Sequence, residues 1–249
     1  MMRTEFDVEY KSGLYIDFYL PDSEEFDVFV YFHGGGLCAG DRKGKEIKVF
    51  APFLANRGIA VASVEYTMYP TAKFPDFIED CADAVAWVKQ NISSYGKCNR
   101  LFVGGSSAGG YISMMLCFNG EYLNKRGLKP TDIDGYIHDA GQPTSHFNVL
   151  KEMGKDSRRL IVDETAPMYF VGTAREYAPM LFIVADDDMF GRYEQTMLMI
   201  SGMKHFGHQD KIYLKEMHGK HCSYDYAVDD DGGSTFGKII EEFVKKVRL

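Results

Sequence analysis

The chain has 249 residues, 45% of them hydrophobic and 26% charged, with a net charge of −8 at neutral pH. That length and balance fit a folded α/β chain and exclude a disordered or fibrous one. The acidic surplus argues against a nucleic-acid partner. The one basic cluster, Lys245, Lys246 and Arg248, reads as the solvated face of a last helix. Five cysteines (Cys38, Cys81, Cys98, Cys117 and Cys222) match neither a CxxC zinc site nor a disulfide framework, so most are expected reduced, some packed as small hydrophobes. The first residues are acidic and carry no apolar signal region, and no 18-residue apolar run occurs. A cytoplasmic protein without a membrane span is the default expectation.

Strand-like and helix-like segments alternate, which predicts an α/β fold with a mostly parallel sheet flanked by helices. Residues 14–20 place Leu14, Ile16, Phe18 and Leu20 on one face and Tyr15, Asp17 and Tyr19 on the other, so a half-buried strand is expected. Residues 26–32 are a continuous apolar run, the mark of a strand buried on both faces, and lead straight into His33-Gly34-Gly35-Gly36. A helix over 45–57 stops at Gly58. A strand follows at 59–64, then a loop with Pro70 and Pro75, then a helix from Asp76 to about Ile92. Leu101-Phe102-Val103 is a short strand, residues 104–110 a Gly/Ser turn, and 111–118 an apolar helix. Strands are expected at 133–138, 180–185 and 211–217, and helices at 193–205 and 236–247. Residues 141–178 are irregular, with brief helical pieces.

The turn carries the chemistry. Gly105-Ser106-Ser107-Ala108-Gly109 matches G-x-S-x-G between a strand and a helix, the context of a nucleophile elbow. Small neighbours let the strand and helix approach closely around a strained serine. The helix start offers free N–H groups to an oxyanion. A dinucleotide or phosphate loop would need GxGxxG or a P-loop lysine, and neither is present. The upstream His33-Gly34-Gly35-Gly36 is the oxyanion-loop motif that accompanies such an elbow.

Together these segments resemble an α/β-hydrolase of the hormone-sensitive-lipase-like or carboxylesterase family. VFVYFHGGG at 28–36 matches that family's oxyanion strand and loop. VEYTMYP at 64–70 is similar to VDYRLAP, and FPDFIEDCADAVAWV at 74–88 to FPAALEDVLAALRWV. NRLFVGGSSAGGYIS at 99–113 is similar to DRIVVAGDSAGGHLA, with Ser106 where the family carries Asp; Thr67 likewise stands at a usual Arg. The resemblance implies one hydrolase domain over 1–249, with a small cap within 119–178.

It also implies the order serine, acid, histidine. Ser107 is the expected nucleophile. Asp186, Asp187 and Asp188 all follow a late strand; aligning Pro179 with the family pattern selects Asp188, with Asp187 in reserve. Both His218 and His221 follow the last predicted strand, and Gly219-Lys220-His221 fits the family loop better. Gly34, Gly35 and Ala108 are the implied oxyanion-hole residues, and His33 shapes their loop. His205-x-x-His208 and His218-x-x-His221-Cys222 offer zinc-type donors, but lack the HExxH pattern. No metal and no cofactor are expected.

The reaction implied is hydrolysis of a small carboxylic ester, short-acyl or carbohydrate-linked. An amidase, peptidase or arylformamidase would use the same three groups. A non-catalytic binding module on this fold would usually lack one of them. The partner is then a small-molecule ester; a homodimer stays open.

Overall fold

The computed structural model describes residues 2–247; Met1, Arg248 and Leu249 lie outside them, so the basic cluster is described only through Lys245 and Lys246. Both are exposed at the end of the last helix, and Lys245 pairs with Glu241 one turn back.

Eight strands form one sheet: β1 (Met2–Lys11), β2 (Leu14–Pro21), β3 (Glu25–Phe32), β4 (Ile59–Val64), β5 (Lys97–Ser106), β6 (Gly135–Asp139), β7 (Met180–Asp187) and β8 (Ile212–Lys220). Their order is β1-β2-β4-β3-β5-β6-β7-β8. β1 and β2 run antiparallel at one edge, and the strands from β4 to β8 pair in parallel. The helices are α1 (Lys45–Ala55), α2 (Asp76–Asn91), α3 (Ala108–Phe118), α4 (Glu121–Asn124), α5 (Phe147–Glu152), α6 (Arg192–His205) and α7 (Thr235–Lys246).

The apolar run of β3 divides between two cores, as strand alternation requires. Val28, Val30 and Phe32 pack under α2, α3 and α6, while Phe29 and Tyr31 pack under α1 and α7. Every residue of α3 is buried, so this helix lies inside the molecule. In α6 the apolar residues divide: Met199 and Met203 are core, but Leu198 is exposed.

The structure adds one strand and changes two expectations. The acidic N-terminal segment is a strand, β1, paired with β2 through two register irregularities. Residues 14–20 are not half-buried: Asp17 and Tyr19 are buried as well as the apolar face. Their second face is closed by α1 and by Arg42, whose Nε donates to Asp17 Oδ1 at 3.0 Å. The last strand does not stop at 217 but pairs with β7 as far as Lys220 opposite Asp187. The stretch 119–178 contributes β6 to the sheet and α4 and α5 outside it. No helix among the described residues is long and apolar enough to cross a membrane. All five cysteines are free thiols, two of them (Cys81 and Cys117) buried.

Candidate active site

β5 lies between β3 and β6 within the parallel part of the sheet, and at its carboxyl end the chain reverses into α3. At the reversal Ser107 has φ 55° and ψ −107°, a conformation costing a non-glycine residue about 1–3 kcal/mol. The neighbours show why the motif needs glycine. A Cβ on Gly105 would stand 2.4 Å from the Phe32 carbonyl oxygen, and one on Gly109 only 1.9 Å from it. A Cβ on Gly110 would stand 2.5 Å from the Asp139 carbonyl oxygen. The elbow is thus wedged between β3 and β6, and the Ser107 N–H donates to the Asp139 carbonyl at 2.8 Å.

The Ser107 hydroxyl lies 2.9 Å from His221 Nε2, and His221 Nδ1 lies 2.6 Å from Asp188 Oδ1. An ionised carboxylate only accepts, so the ring proton sits on Nδ1 and Nε2 accepts from the serine. Asp188 is fully buried at its side chain. Burial opposes its charge, but the His221 hydrogen bond and charge, the Met189 N–H and Arg192 together hold its carboxyl below the ordinary value.

The neighbouring candidates go elsewhere. Asp186 and His218 form their own pair at 2.6 Å, with the His218 side chain 96% exposed. That hydrogen bond, then the Asp186 charge, raises the His218 pKa. Asp187 pairs with Lys220 at the surface. Each aspartate of the triplet therefore has a distinct partner, and only the Asp188–His221 pair meets Ser107. Of the zinc-type alternatives, His208 packs edge-on against Tyr177 and His205 against Phe206.

The glycine loop after β3 folds against the elbow. A Cβ on Gly34 would lie 3.4 Å from the Ser107 Cβ. Gly35 has φ 113°, and a Cβ there would lie 1.9 Å from the Ala39 carbonyl oxygen, so the turn admits no side chain. Ala108 is the first residue of α3, where N–H groups have no acceptor within the helix. The His33 ring donates from Nδ1 to the Gly34 carbonyl at 2.7 Å and stacks on Tyr66, centroids 4.4 Å apart. Burial lowers the His33 pKa and keeps the ring neutral.

Several residues at the site escaped the motif reading. Tyr66 donates its hydroxyl to the His33 carbonyl at 2.8 Å, and Asn148 on α5 donates to the Gly36 carbonyl at 2.6 Å. Tyr66 falls within VEYTMYP, but nothing in its spacing marks it as a brace; Asn148 carries no signal. Replacing Tyr66 with Phe strands a buried carbonyl, at an expected cost of about 1–2 kcal/mol. Thermal unfolding should show a loss of roughly 2–8 °C. A melting point equal to that of the parent would remove Tyr66 as a brace of the loop.

Gly34, Gly35, Ser107 and His221 line one cavity of about 470 Å³, together with Glu46, Phe147, Met189 and Asp225.

A sheet of this topology, with its serine elbow at the carboxyl ends of the parallel strands, defines an α/β-hydrolase. The BD-FAE family model matches residues 16–203, and the chain belongs to that family. Hydrolase 3 of Catharanthus roseus is 30% identical over 145 residues, covering 47% of this chain and 45% of that protein. The chain spans less than half the length of the curated relatives it matches. Among solved structures, esterase B from Lactobacillus Rhamnosis superposes with a TM-score of 0.80 at 16% identity, covering 99% of this chain and 86% of that one. A truncated carbohydrate esterase from gut microbiota gives 0.79 at 16%, covering 99% and 97%.

Proposed function

We propose that this chain is a serine hydrolase that cleaves carboxylic esters, with Ser107 as nucleophile, His221 as base and Asp188 as its orienting acid. The observation that carries the reading is the unbroken line from the strained Ser107 hydroxyl through His221 to the buried Asp188. Ser107 Oγ attacks the ester carbonyl while His221 takes its proton; the tetrahedral oxyanion is held by the N–H groups of Gly34, Gly35 and Ala108. The C–O bond then breaks, His221 returns the proton to the leaving alcohol, and an acyl-enzyme remains. Water, deprotonated by His221, releases the acid and restores Ser107. Asp188 stays ionised and stabilises the imidazolium.

We read residues 1–249 as one hydrolase domain, with 119–178 supplying a small cap that lends Phe147 to the cavity. A cap this short suits short acyl groups, and the relatives named for esterase and carbohydrate esterase activity favour ester substrates, carbohydrate-linked ones included. Turnover of p-nitrophenyl acetate is expected to exceed that of the decanoate by roughly tenfold or more, since productive placement of the carbonyl is worth that much. Amide hydrolysis faster than ester hydrolysis, measured on matched p-nitroanilide and p-nitrophenyl pairs, would replace the esterase reading with an amidase one.

A further inference from the structure

Beneath the site lies a polar cluster that the reaction above leaves idle. Asp139 ends β6 and Asp225 lies on the loop after His221; both are buried. Donor atoms of Asp139, Cys222 and Asp225 all fall within 4.8 Å of one another. Asp139 faces two ways. Its backbone carbonyl accepts the Ser107 N–H at 2.8 Å. Its carboxylate accepts the Tyr224 hydroxyl at 2.5 Å, and the Cys222 thiol points to it at 3.8 Å. It therefore ties the backbone of the nucleophile to the loop that carries the base. Cys222, next to His221, has φ 52°, so the loop is held in a conformation it would not adopt unaided.

The charge of Arg192 reaches Asp139 without forming an ion pair with it. Among the described residues neither carboxyl has a Lys or Arg ion-pair partner, and Asp225 Oδ1 is buried with no donor facing it. Two buried like charges this close repel strongly, and a proton kept on one carboxyl removes that repulsion. The titratable and charged groups around the pair are Tyr31 on β3, Glu46 on α1, Arg192 on α6, and His221, Cys222 and Tyr224 on the loop. Ser106 of β5 completes the cluster with its hydroxyl, which accepts from Tyr31 at 3.1 Å. This is the position where the similar motif carries aspartate, and here the carboxyls come instead from β6 and the loop.

We propose that Asp139 and Asp225 hold one proton between them, Asp225 as the acid and Asp139 as the carboxylate, and that this pair is the positioning element that sets the His221 loop against Ser107. The proposal rests on the serine-hydrolase reading. The electrostatics agree with it. Burial, then the charge of Asp139, pushes the Asp225 carboxyl well above its usual range. Burial also raises Asp139, opposed by hydrogen bonds from Ser106, Tyr224 and Asp225 and by His221.

The test is the rate at which a fluorophosphonate labels Ser107, followed by intact mass from pH 6 to 10, with Ser107→Ala as the blank. Asp139→Asn is expected to slow labelling about tenfold or more at every pH, because the loop loses its charged anchor. Asp225→Asn replaces the acid proton with an amide N–H that cannot ionise, so its labelling should hold to higher pH than that of the parent. Melting should agree in sign. Asp225 has a folded pKa above its unfolded 3.8, so its stabilising contribution fades as pH rises from there toward the raised value. The parent should then lose melting temperature relative to Asp225→Asn over that window. If Asp139→Asn does not fold, Tyr224→Phe removes only the hydroxyl anchor and should slow labelling several-fold. Matching pH profiles for parent and variants would overturn the shared proton. So would zinc or calcium alone raising the melting point of the parent but not of Asp225→Asn, which would make the cluster a cation site. A parent that is not labelled at Ser107 would defeat the serine reading itself, a different outcome from labelling that the variants leave unchanged.

Discussion

Replacing Ser107 with alanine is expected to lower kcat on p-nitrophenyl acetate by about 10⁴- to 10⁶-fold, with the fold intact. The size follows from the role proposed for the hydroxyl: without it no acyl-enzyme would form, and only the proposed oxyanion donors would act on the substrate. His221→Ala should cost a similar factor, because neither the attack nor the departure of the alcohol then has a proton carrier. Asp188→Asn should cost roughly 10⁴-fold, since an amide at that place favours the wrong imidazole tautomer. The matched controls are His218→Ala and Asp186→Asn. That pair has the same 2.6 Å geometry as Asp188 and His221 but stands in solvent, away from Ser107. Both controls should stay within about twofold of the parent, as surface pairs contribute little. Kinetics on the five variants decides the assignment. A Ser107→Ala enzyme keeping a tenth of its activity would end the mechanism, and a larger loss from His218→Ala than from His221→Ala would exchange the base.

The same pair of histidines shows where sequence reading reaches and where it stops. The elbow and the glycine loop were legible because their chemistry depends on consecutive residues: close approach demands glycine at 105, 109 and 110, and a turn that admits no side chain demands it at 35. The choice between His218 and His221 depends on how far β8 runs, and alternation faded at 217 while backbone pairing with β7 continued to Lys220. Family spacing pointed to His221; the local pattern did not. β1 was illegible for another reason. It is an edge strand with mostly exposed side chains, and its alternation is broken where Asp7 takes φ 58°. Asp17 read as solvent-facing because alternation sees one strand at a time, whereas Arg42 reaches it from a loop 25 positions later. Asp139, Tyr224 and Asp225 carried no motif at all. They meet only because β6 ends beside the loop that follows β8.

Gly109→Ala is expected to destabilise the protein by about 3 kcal/mol or more, for one added methyl group. The methyl would stand 1.9 Å from the Phe32 carbonyl oxygen and 2.6 Å from its carbon, so no rotamer change relieves the clash. Backbone must move: either α3 lifts from β3 or the start of the oxyanion loop shifts. Both movements separate Ser107 from Gly34, so kcat should fall at temperatures where the variant is still folded, by about 10²-fold for an ångström of displacement. Gly58→Ala is the comparison that isolates the steric term. Gly58 has φ 82° with nothing within 4 Å of an added Cβ, so only backbone strain is charged there, about 1–2 kcal/mol, and activity should be untouched. For a chain of this length the difference corresponds to a melting point lower by roughly 6 °C or more for Gly109→Ala against about 2–8 °C for Gly58→Ala. Stability alone does not separate the two as sharply as kcat does, because only the elbow couples a methyl group to the distance between nucleophile and oxyanion loop. A Gly109→Ala enzyme with parental kcat would mean that the close packing of α3 on β3 serves stability alone.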